Sequence, residues 1–380
     1  MKHYVALLLA THTLFCMERS SLDDVKRDLT DAKRAVITGI AGQDGTDLSL
    51  FLKEKEPDTH IIGLVRPTTN TKRLEYTFDG EVPFRLMDCD LGSTSQVDSI
   101  MRSIKPDEVY CLAGQSNVVK SWKDPQENQV NIVGVATFLA AIEAQKLAER
   151  SRLVFSGSSE IFGDVATSPQ DELTPHNPRN PYGTSKEAAW RLLDLYRRQK
   201  GEHASCAYLY NHTGIFRGSP FAEKQIIKDI VLAHDPSSDR SFPIQVGNVE
   251  AQRDWNASGE VVRGMHLMLQ QEEPGDYVLS SGTLHKVRDL VEMGFAHYKR
   301  EIRWDGSGLD EKGYDAKTGE LLVEVDRRFY RPAEVVPLCG NPQKAYDVLG
   351  WKTEKTFEEL VSEMIESEKI YVLDPERCAW

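Results

Sequence analysis

Tyr182 and Lys186 stand four residues apart in the run Pro181-Tyr182-Gly183-Thr184-Ser185-Lys186, a spacing that puts both side chains on one face of a helix. A phenol in water holds its proton up to a pKa of about 10. A nearby ammonium stabilises the phenolate, so the pair predicts a tyrosine base that works closer to neutrality. Upstream, Phe155-Ser156-Gly157-Ser158-Ser159-Glu160 adds a hydroxyl at Ser158, suited to hydrogen-bond a substrate hydroxyl, and a carboxylate at Glu160. Simple hydride transfer needs no such acid. Proton removal from carbon, or protonation of a leaving hydroxyl, does. Taken singly each signal is weak: Tyr-x-x-x-Lys is common by chance on solvated helix faces, and Glu160 reads equally as a helix N-terminal charge.

These residues need a frame, and the apolar runs supply one. Strands are expected over 35–39, 60–65, 84–87, 108–113, 152–156 and 205–210, and helices over 43–53, 131–147 and 182–198. Strands alternating with helices imply a parallel, doubly wound Rossmann sheet whose ligands bind beyond the carboxyl ends of its strands. The first strand runs into Thr38-Gly39-Ile40-Ala41-Gly42-Gln43-Asp44-Gly45. Here Gly39 permits the tight turn, Gly42 lets the backbone approach a pyrophosphate, and Gly45 lets helix and strand pack closely. The following helix N-terminus presents free N–H groups to the phosphates. The glycine spacing alone would describe an ordinary loop; the strand–turn–helix context turns it into a dinucleotide site.

The second strand ends in Leu64-Val65-Arg66-Pro67-Thr68-Thr69, without the acid that binds the ribose hydroxyls of NAD. Arg66 is suited to a 2′-phosphate, with Thr68 or Thr69 donating to it, so the expected cofactor is NADP. Asp90 and Leu91 follow the third strand as candidates to hold the adenine. Leu112, Ala113, Gly114, Gln115 and Ser116 follow the fourth and are small enough in part to pass under the cofactor. Lys186 is also placed to bond the nicotinamide ribose.

With 380 residues the chain is expected to hold one large α/β domain and a smaller appended lobe. The division expected is 1–34 as an extension outside the fold, 35–210 as the cofactor domain, and 211–372 as mainly a substrate α/β lobe with segments returning to the first domain. Residues 373–380 are expected to form a tail. A net charge of −13 argues against a nucleic-acid surface but leaves room for a local basic pocket. The six cysteines include no C-x-x-C pair, so no metal site is expected and the thiols read as buried small hydrophobes in a reducing compartment. No stretch suits a membrane span, and a cytoplasmic location is expected despite a short apolar run near the N-terminus.

Together these motifs resemble the extended short-chain dehydrogenase/reductases, and Gly42-Gln43-Asp44-Gly45 narrows the resemblance to the GDP-mannose 4,6-dehydratases. Supporting segments follow in order: Gln115-Ser116, Ser158-Ser159-Glu160, Pro181-Tyr182-Gly183, Asn211-His212, Arg217-Gly218, Gly247-Asn248 and Ala251-Gln252-Arg253-Asp254-Trp255. Tyr330-Arg331-Pro332-Ala333-Glu334-Val335 and Gly350-Trp351-Lys352 close the series, which spans 34–360. The resemblance implies a lyase that converts GDP-mannose to GDP-4-keto-6-deoxymannose by an internal NADP hydride transfer. That reaction is the first step toward GDP-fucose or other GDP-deoxyhexoses. It implies that Ser158, Glu160, Tyr182 and Lys186 are catalytic and that His212 and Arg217 join the NADP site. Ser116, Asn211, Arg253, Arg331 and Glu334 would surround the nucleotide sugar; arginines suit a diphosphate and a carboxylate suits guanine N–H donors. A homo-oligomer, dimer or tetramer, is implied as well.

The chain departs from the family at several of these places. Ser158 replaces a threonine, and Asn117 a histidine. Thr213-Gly214-Ile215-Phe216 replaces a run carrying one more carboxylate and one more arginine, and the loop at Arg66-Pro67-Thr68-Thr69 is shortened. Two other functions remain open on the sequence: a dehydratase for a different nucleotide sugar, or a 4-epimerase of the same fold, and a non-catalytic NADP-binding regulatory protein. Glu160 argues against the epimerase, which needs no base at C5. Ser158, Glu160, Tyr182 and Lys186 together argue against the regulator.

Overall fold

The computed structural model describes residues 19–218, 221–331 and 337–373. Fourteen strands are found among them. They are β1 Arg34–Thr38, β2 His60–Val65, β3 Arg85–Asp88, β4 Glu108–Cys111, β5 Arg152–Ser156, β6 His203–Leu209, β7 Asn211–Thr213, β8 Ile244–Val246, β9 Gln252–Ala257, β10 Asp276–Leu279, β11 Leu284–Lys286, β12 Ile302–Asp305, β13 Lys312–Asp315 and β14 Leu321–Val325. Seven of them make one sheet in the order β10-β6-β5-β4-β1-β2-β3, every neighbour parallel. β4 and β6 are buried along their whole length, as strands covered on both faces must be. The chain crosses over between β1 and β4, and the crevice beyond their carboxyl ends is the ligand site of such a sheet.

Two apolar layers sandwich this sheet. One joins Val36, Leu64 and Phe155 to Ile100, Phe138 and Leu193 from the helices Thr94–Ile104, Gln129–Ala144 and Pro181–Lys200. The other joins Ile37, Val154 and Leu279 to Leu48 and Leu52 of the helix Gln43–Lys55, and to Val262 and Met265 of the helix Ser258–Leu269. A third cluster, around Ile230, Phe295, Val323 and Ile365, fills the appended lobe. That lobe holds the small sheets β11-β9-β7 and β12-β13-β14-β8. The C-terminal helix Phe357–Leu373 packs there, so the chain is still ordered at the start of the expected tail; 374–380 lie outside the described residues.

The expectation that 1–34 stands outside the fold does not hold for its second half. Ser21 caps the helix Leu22–Asp28, and Val25 is buried in the first apolar layer, because that helix packs against the helix Thr94–Ile104. Residues 1–18 lie outside the described residues. The fourth strand stops at Cys111 rather than at 113 because the Leu112 and Ala113 N–H groups turn to the Thr38 hydroxyl, each at 3.0 Å. The helix expected from 182 begins at Pro181 behind an Asn180 cap, a favoured place for proline. Cys89, Cys111, Cys206 and Cys339 are free and buried, as small hydrophobes would be. No helix of the described residues is long and apolar enough to cross a membrane.

Candidate active site

The phosphate turn has the geometry its glycines suggest. Gly39 takes φ +68°, and a Cβ there would lie 2.8 Å from the Ala113 Cα. At Gly45 a Cβ would lie 2.4 Å from the Ile40 Cα, so only glycine lets the helix sit against the turn. A Cβ at Gly42 would meet nothing nearer than the Gly39 carbonyl at 3.1 Å, which leaves its outer side open to a ligand. Gly42 opens the helix Gln43–Lys55 without a side-chain cap, so the helix end is left to an incoming acceptor. These features fit a dinucleotide pyrophosphate.

Beside the turn, Asp44 accepts from the Gln43 amide at 3.0 Å and meets His212 Nε2 at 3.1 Å. Burial pushes Asp44 upward, but His212, Gln43 and Arg217 outweigh it and hold the carboxyl well below the usual range. His212, with Nδ1 bonded to the Tyr210 carbonyl at 2.8 Å, is raised correspondingly: burial opposes its charge and Asp44 more than compensates. Arg217 bonds Glu223 at 2.8 Å and lies 3.4 Å over the Phe221 ring. Arg66 is exposed at the end of β2, its N–H held by the Thr69 hydroxyl at 3.0 Å. Asp90 is exposed, with its carboxylate on the Gly92 N–H at 2.9 Å, and Leu91 packs on the first apolar layer. Leu112 and Ala113 are half-buried, whereas Gly114 and Ser116 are exposed. Gln115 turns inward to the Asn117 carbonyl, and its side chain serves the loop. Asn117, the residue in the family's histidine place, caps the helix Val118–Lys123.

At the carboxyl end of β5, Ser158 accepts from the Glu160 N–H at 3.2 Å and lies close enough to Tyr182 to lower its pKa. Glu160 is the middle residue of a single 3₁₀ turn, Ser159–Ile161, and its Oε2 accepts from the Asn180 amide at 2.6 Å. The buried Lys186 ammonium donates to the Ser156 carbonyl at 2.7 Å and lies 5.9 Å from the centre of the Tyr182 ring. Burial pushes Tyr182 up to about 12; Ser158 pulls it down, and Glu160 pushes it up again. Burial also brings Lys186 down to about 8. The ammonium expected beside Tyr182 is thus placed on its helix, with burial as the main influence on the phenol. The ammonium is engaged with Ser156, and desolvation of the phenolate is the larger effect.

Three residues here carry no motif in the sequence reading. Asn180 joins Glu160 to the helix that bears Tyr182, since its Oδ1 also accepts the Gly183 N–H at 2.8 Å. Asparagine before Pro-Tyr was the available signal, a helix cap. Asn131 donates to the Gln115 carbonyl and the Ser185 hydroxyl, beside Gly114 and Lys186. A buried polar residue in an apolar helix was its signal. Arg73, buried, donates to the Ala41 carbonyl of the phosphate turn at 2.8 Å; no local pattern marks it.

Two of the expected substrate residues lie on one small sheet. Asn211 on β7 pairs with Trp255 on β9, and Arg253 on β9 faces His285 on β11. The exposed Arg331 is tied by its carbonyl to Asn248 at 3.3 Å. Glu334 lies outside the described residues. Asp254, in the same motif as Arg253, is fully buried and binds the Ser281, Gly282 and Gly340 N–H groups, so it organises loops. Among the described residues one trio could ligate a metal, Glu56, Glu108 and His266. The Lys33 ammonium already bonds both glutamates, at 2.9 and 2.5 Å, at the far end of the sheet.

Comparison with known proteins agrees with this geometry. By fold, the chain is similar to UDP-glucose 4-epimerase of Thermotoga maritima, with a TM-score of 0.72 at 18% identity over 89% of this chain and 99% of that one. RMD from Pseudomonas aeruginosa, solved with NADPH, gives 0.69 at 22% over 89% and 99%. In sequence, GDP-mannose 4,6-dehydratase of Sinorhizobium fredii is 37% identical over 90% of this chain and 99% of its own length. The Drosophila melanogaster enzyme of that name is 35% identical over 88% and 86%. The profile of the GDP-mannose 4,6 dehydratase family matches residues 36–364, which spans both the phosphate turn and the Ser158–Lys186 cluster, and this chain belongs to that family.

Proposed function

We propose that this protein is a hydro-lyase that converts GDP-mannose to GDP-4-keto-6-deoxymannose with NADP as its bound hydride carrier. The observation that carries the reading is the clustering of a phenol, a hydroxyl and a carboxylate at the end of β5: Ser158 and Glu160 both lie close enough to Tyr182 to shift its titration, and Asn180 ties Glu160 to the helix that bears Tyr182. A bound nicotinamide would supply a reversible hydride acceptor for the exchange between C4 and C6. Tyr182, with Ser158 holding the same hydroxyl, takes the O4 proton as C4 becomes a ketone. The ketone acidifies C5–H. Glu160 takes that proton and passes it to the C6 hydroxyl, which leaves as water. A proton delivered to C5, matching the one lost from O4, completes the balance. Lys186 would hold the cofactor ribose, and Asp44, His212 and Arg217 would flank the pyrophosphate. Arg253, Arg331 and Glu334 would hold the GDP moiety.

The lack of a carboxylate from Arg66 to Asn70 supports NADP over NAD. Glu160 favours dehydration over 4-epimerisation, which needs no proton removed from C5. Exposed Trp122, Val133 and Leu195, on helices that contact one another, support a homo-oligomer. The test is turnover of GDP-[4-²H]mannose with NADP⁺, followed by mass spectrometry. The reading requires loss of one water with the label moved to C6. In Glu160→Gln water loss should stop while oxidation at C4 persists as absorbance of reduced cofactor. An epimerised product without water loss would overturn the assignment.

A further inference from the structure

The segment ahead of β1 carries an arginine into the cofactor domain. The Ser20 N–H donates to the Leu86 carbonyl of β3 at 2.8 Å, and Val25 is buried beside Ile62, Leu64 and Met87. These anchors fix Arg19 across the carboxyl ends of β2 and β3. Its Nε faces Asp88 at 3.3 Å, and Nη2 donates to the Thr69 carbonyl at 3.4 Å. Thr69 closes the turn that Arg66 opens, since its N–H returns to the Arg66 carbonyl at 2.8 Å. The remaining guanidinium nitrogen, Nη1, is buried without an acceptor among the described residues. A guanidinium presents five N–H donors in one plane and suits an oxyanion with several acceptors. Leaving one of its nitrogens buried and unpaired is costly unless a ligand supplies the acceptor.

We propose that Arg19, from the segment before the first strand, joins Arg66 in binding the 2′-phosphate of the cofactor's adenosine ribose. The proposal rests on the NADP reading above. In a doubly wound fold the adenosine ribose lies beyond the end of β2, where Arg19 meets the Arg66–Thr69 turn. Arg19 acts there in two ways. It offers donors to the phosphate, and it neutralises Asp88, whose carboxylate would otherwise repel a dianion.

The test compares NADP⁺ and NAD⁺ binding by calorimetry on the full chain, unaltered and as Arg19→Ala, Arg19→Gln and Arg19→Lys. Arg19→Ala should weaken NADP⁺ about tenfold or more and leave NAD⁺ within about twofold, with Arg19→Lys between. Each ratio is taken within one variant, so a general loss of stability does not imitate the effect, and Arg19→Gln serves if the alanine variant folds poorly. An NADP⁺ to NAD⁺ ratio that survives the substitution overturns the role of Arg19 alone. Equal affinity of the unaltered protein for the two cofactors would instead sink the NADP reading, and this proposal with it.

Discussion

Asn180 is the hinge between the two halves of the proposed chemistry, and replacing it by aspartate perturbs only one of them. Its Oδ1 caps the helix that carries Tyr182 and Lys186, while its Nδ2 donates to Glu160 Oε2 at 2.6 Å. Aspartate is as good a cap as asparagine, so the helix start and the tyrosine should stay in place. The donor, however, becomes a second carboxylate beside the first. If the two oxygens relax to about 4 Å, like charges repel by about 4 kcal/mol at an effective dielectric near 20, or roughly three pKa units. Glu160 is only half-buried, and solvent screening brings the expected effect to about one to two units. The assay is the pH dependence of kcat for water loss, set beside the rate of C4 oxidation followed as reduced cofactor at saturating substrate. The acid limb of water loss should move up by one to two pH units in Asn180→Asp, while oxidation at C4 changes little. Asn180→Ser, which keeps a cap but loses the reach to Glu160, should lower kcat without moving the limb as far. An acid limb in the same place for the unaltered protein and Asn180→Asp would refute the link between Asn180 and the C5 base.

Two further substitutions probe the frame. In Gly45→Ala the added methyl meets the Ile40 Cα at 2.4 Å and the Gly39 carbonyl at 2.5 Å, both backbone, so the turn must open. Calorimetry should show a loss of cofactor affinity of more than about tenfold, with stability lower by at least about 2 kcal/mol; unchanged affinity would contradict the close-packing role of this glycine. Glu202 is 1% exposed with both carboxylate oxygens unpartnered, and burial first, then Glu143, push it up to about 8 from an ordinary 4.5, with Lys200 opposing. The folded state therefore keeps a proton that the unfolded chain releases, so stability is complete below pH 4.5 and drains away as the pH rises toward 8. At pH 7 the loss is about 3 kcal/mol. Glu202→Gln should recover it, raising Tm by about 4 °C at pH 7 and by almost nothing at pH 4.5; a gain in Tm that does not depend on pH would refute the buried-proton account.

What could be read in advance was local, and what could not was held between distant segments. The strands over 60–65 and 152–156 stand where the apolar runs put them, because a parallel strand buried on both faces is uninterrupted in its own residues. The phosphate turn was legible for a related reason, since the φ of +68° at Gly39 and the contact of Gly45 with Ile40 both arise within one turn of chain. Tyr182 and Lys186 were legible as a pair by helical spacing, yet their titration was not. The ammonium's partner, Ser156, lies 30 residues away, and burial of the phenol depends on the whole site. Arg73 and Arg19 show the limit most clearly. One reaches Ala41 across 32 residues and the other reaches Thr69 across 50, and in a strand-by-strand reading each belongs to connecting chain. The same logic gives Asp254 a role that its motif does not show. Its motif places it beside a diphosphate-binding candidate, Arg253, but neighbours on a strand face opposite ways. Arg253 and Asp254 divide accordingly: the carboxylate is spent on four donors from Ser281, Gly282 and Gly340, which hold the chain just after the Arg331–Glu334 motif against β9. A shared motif therefore sets side by side a ligand-binding candidate and a residue that fixes a loop, and only the tertiary hydrogen bonds separate them.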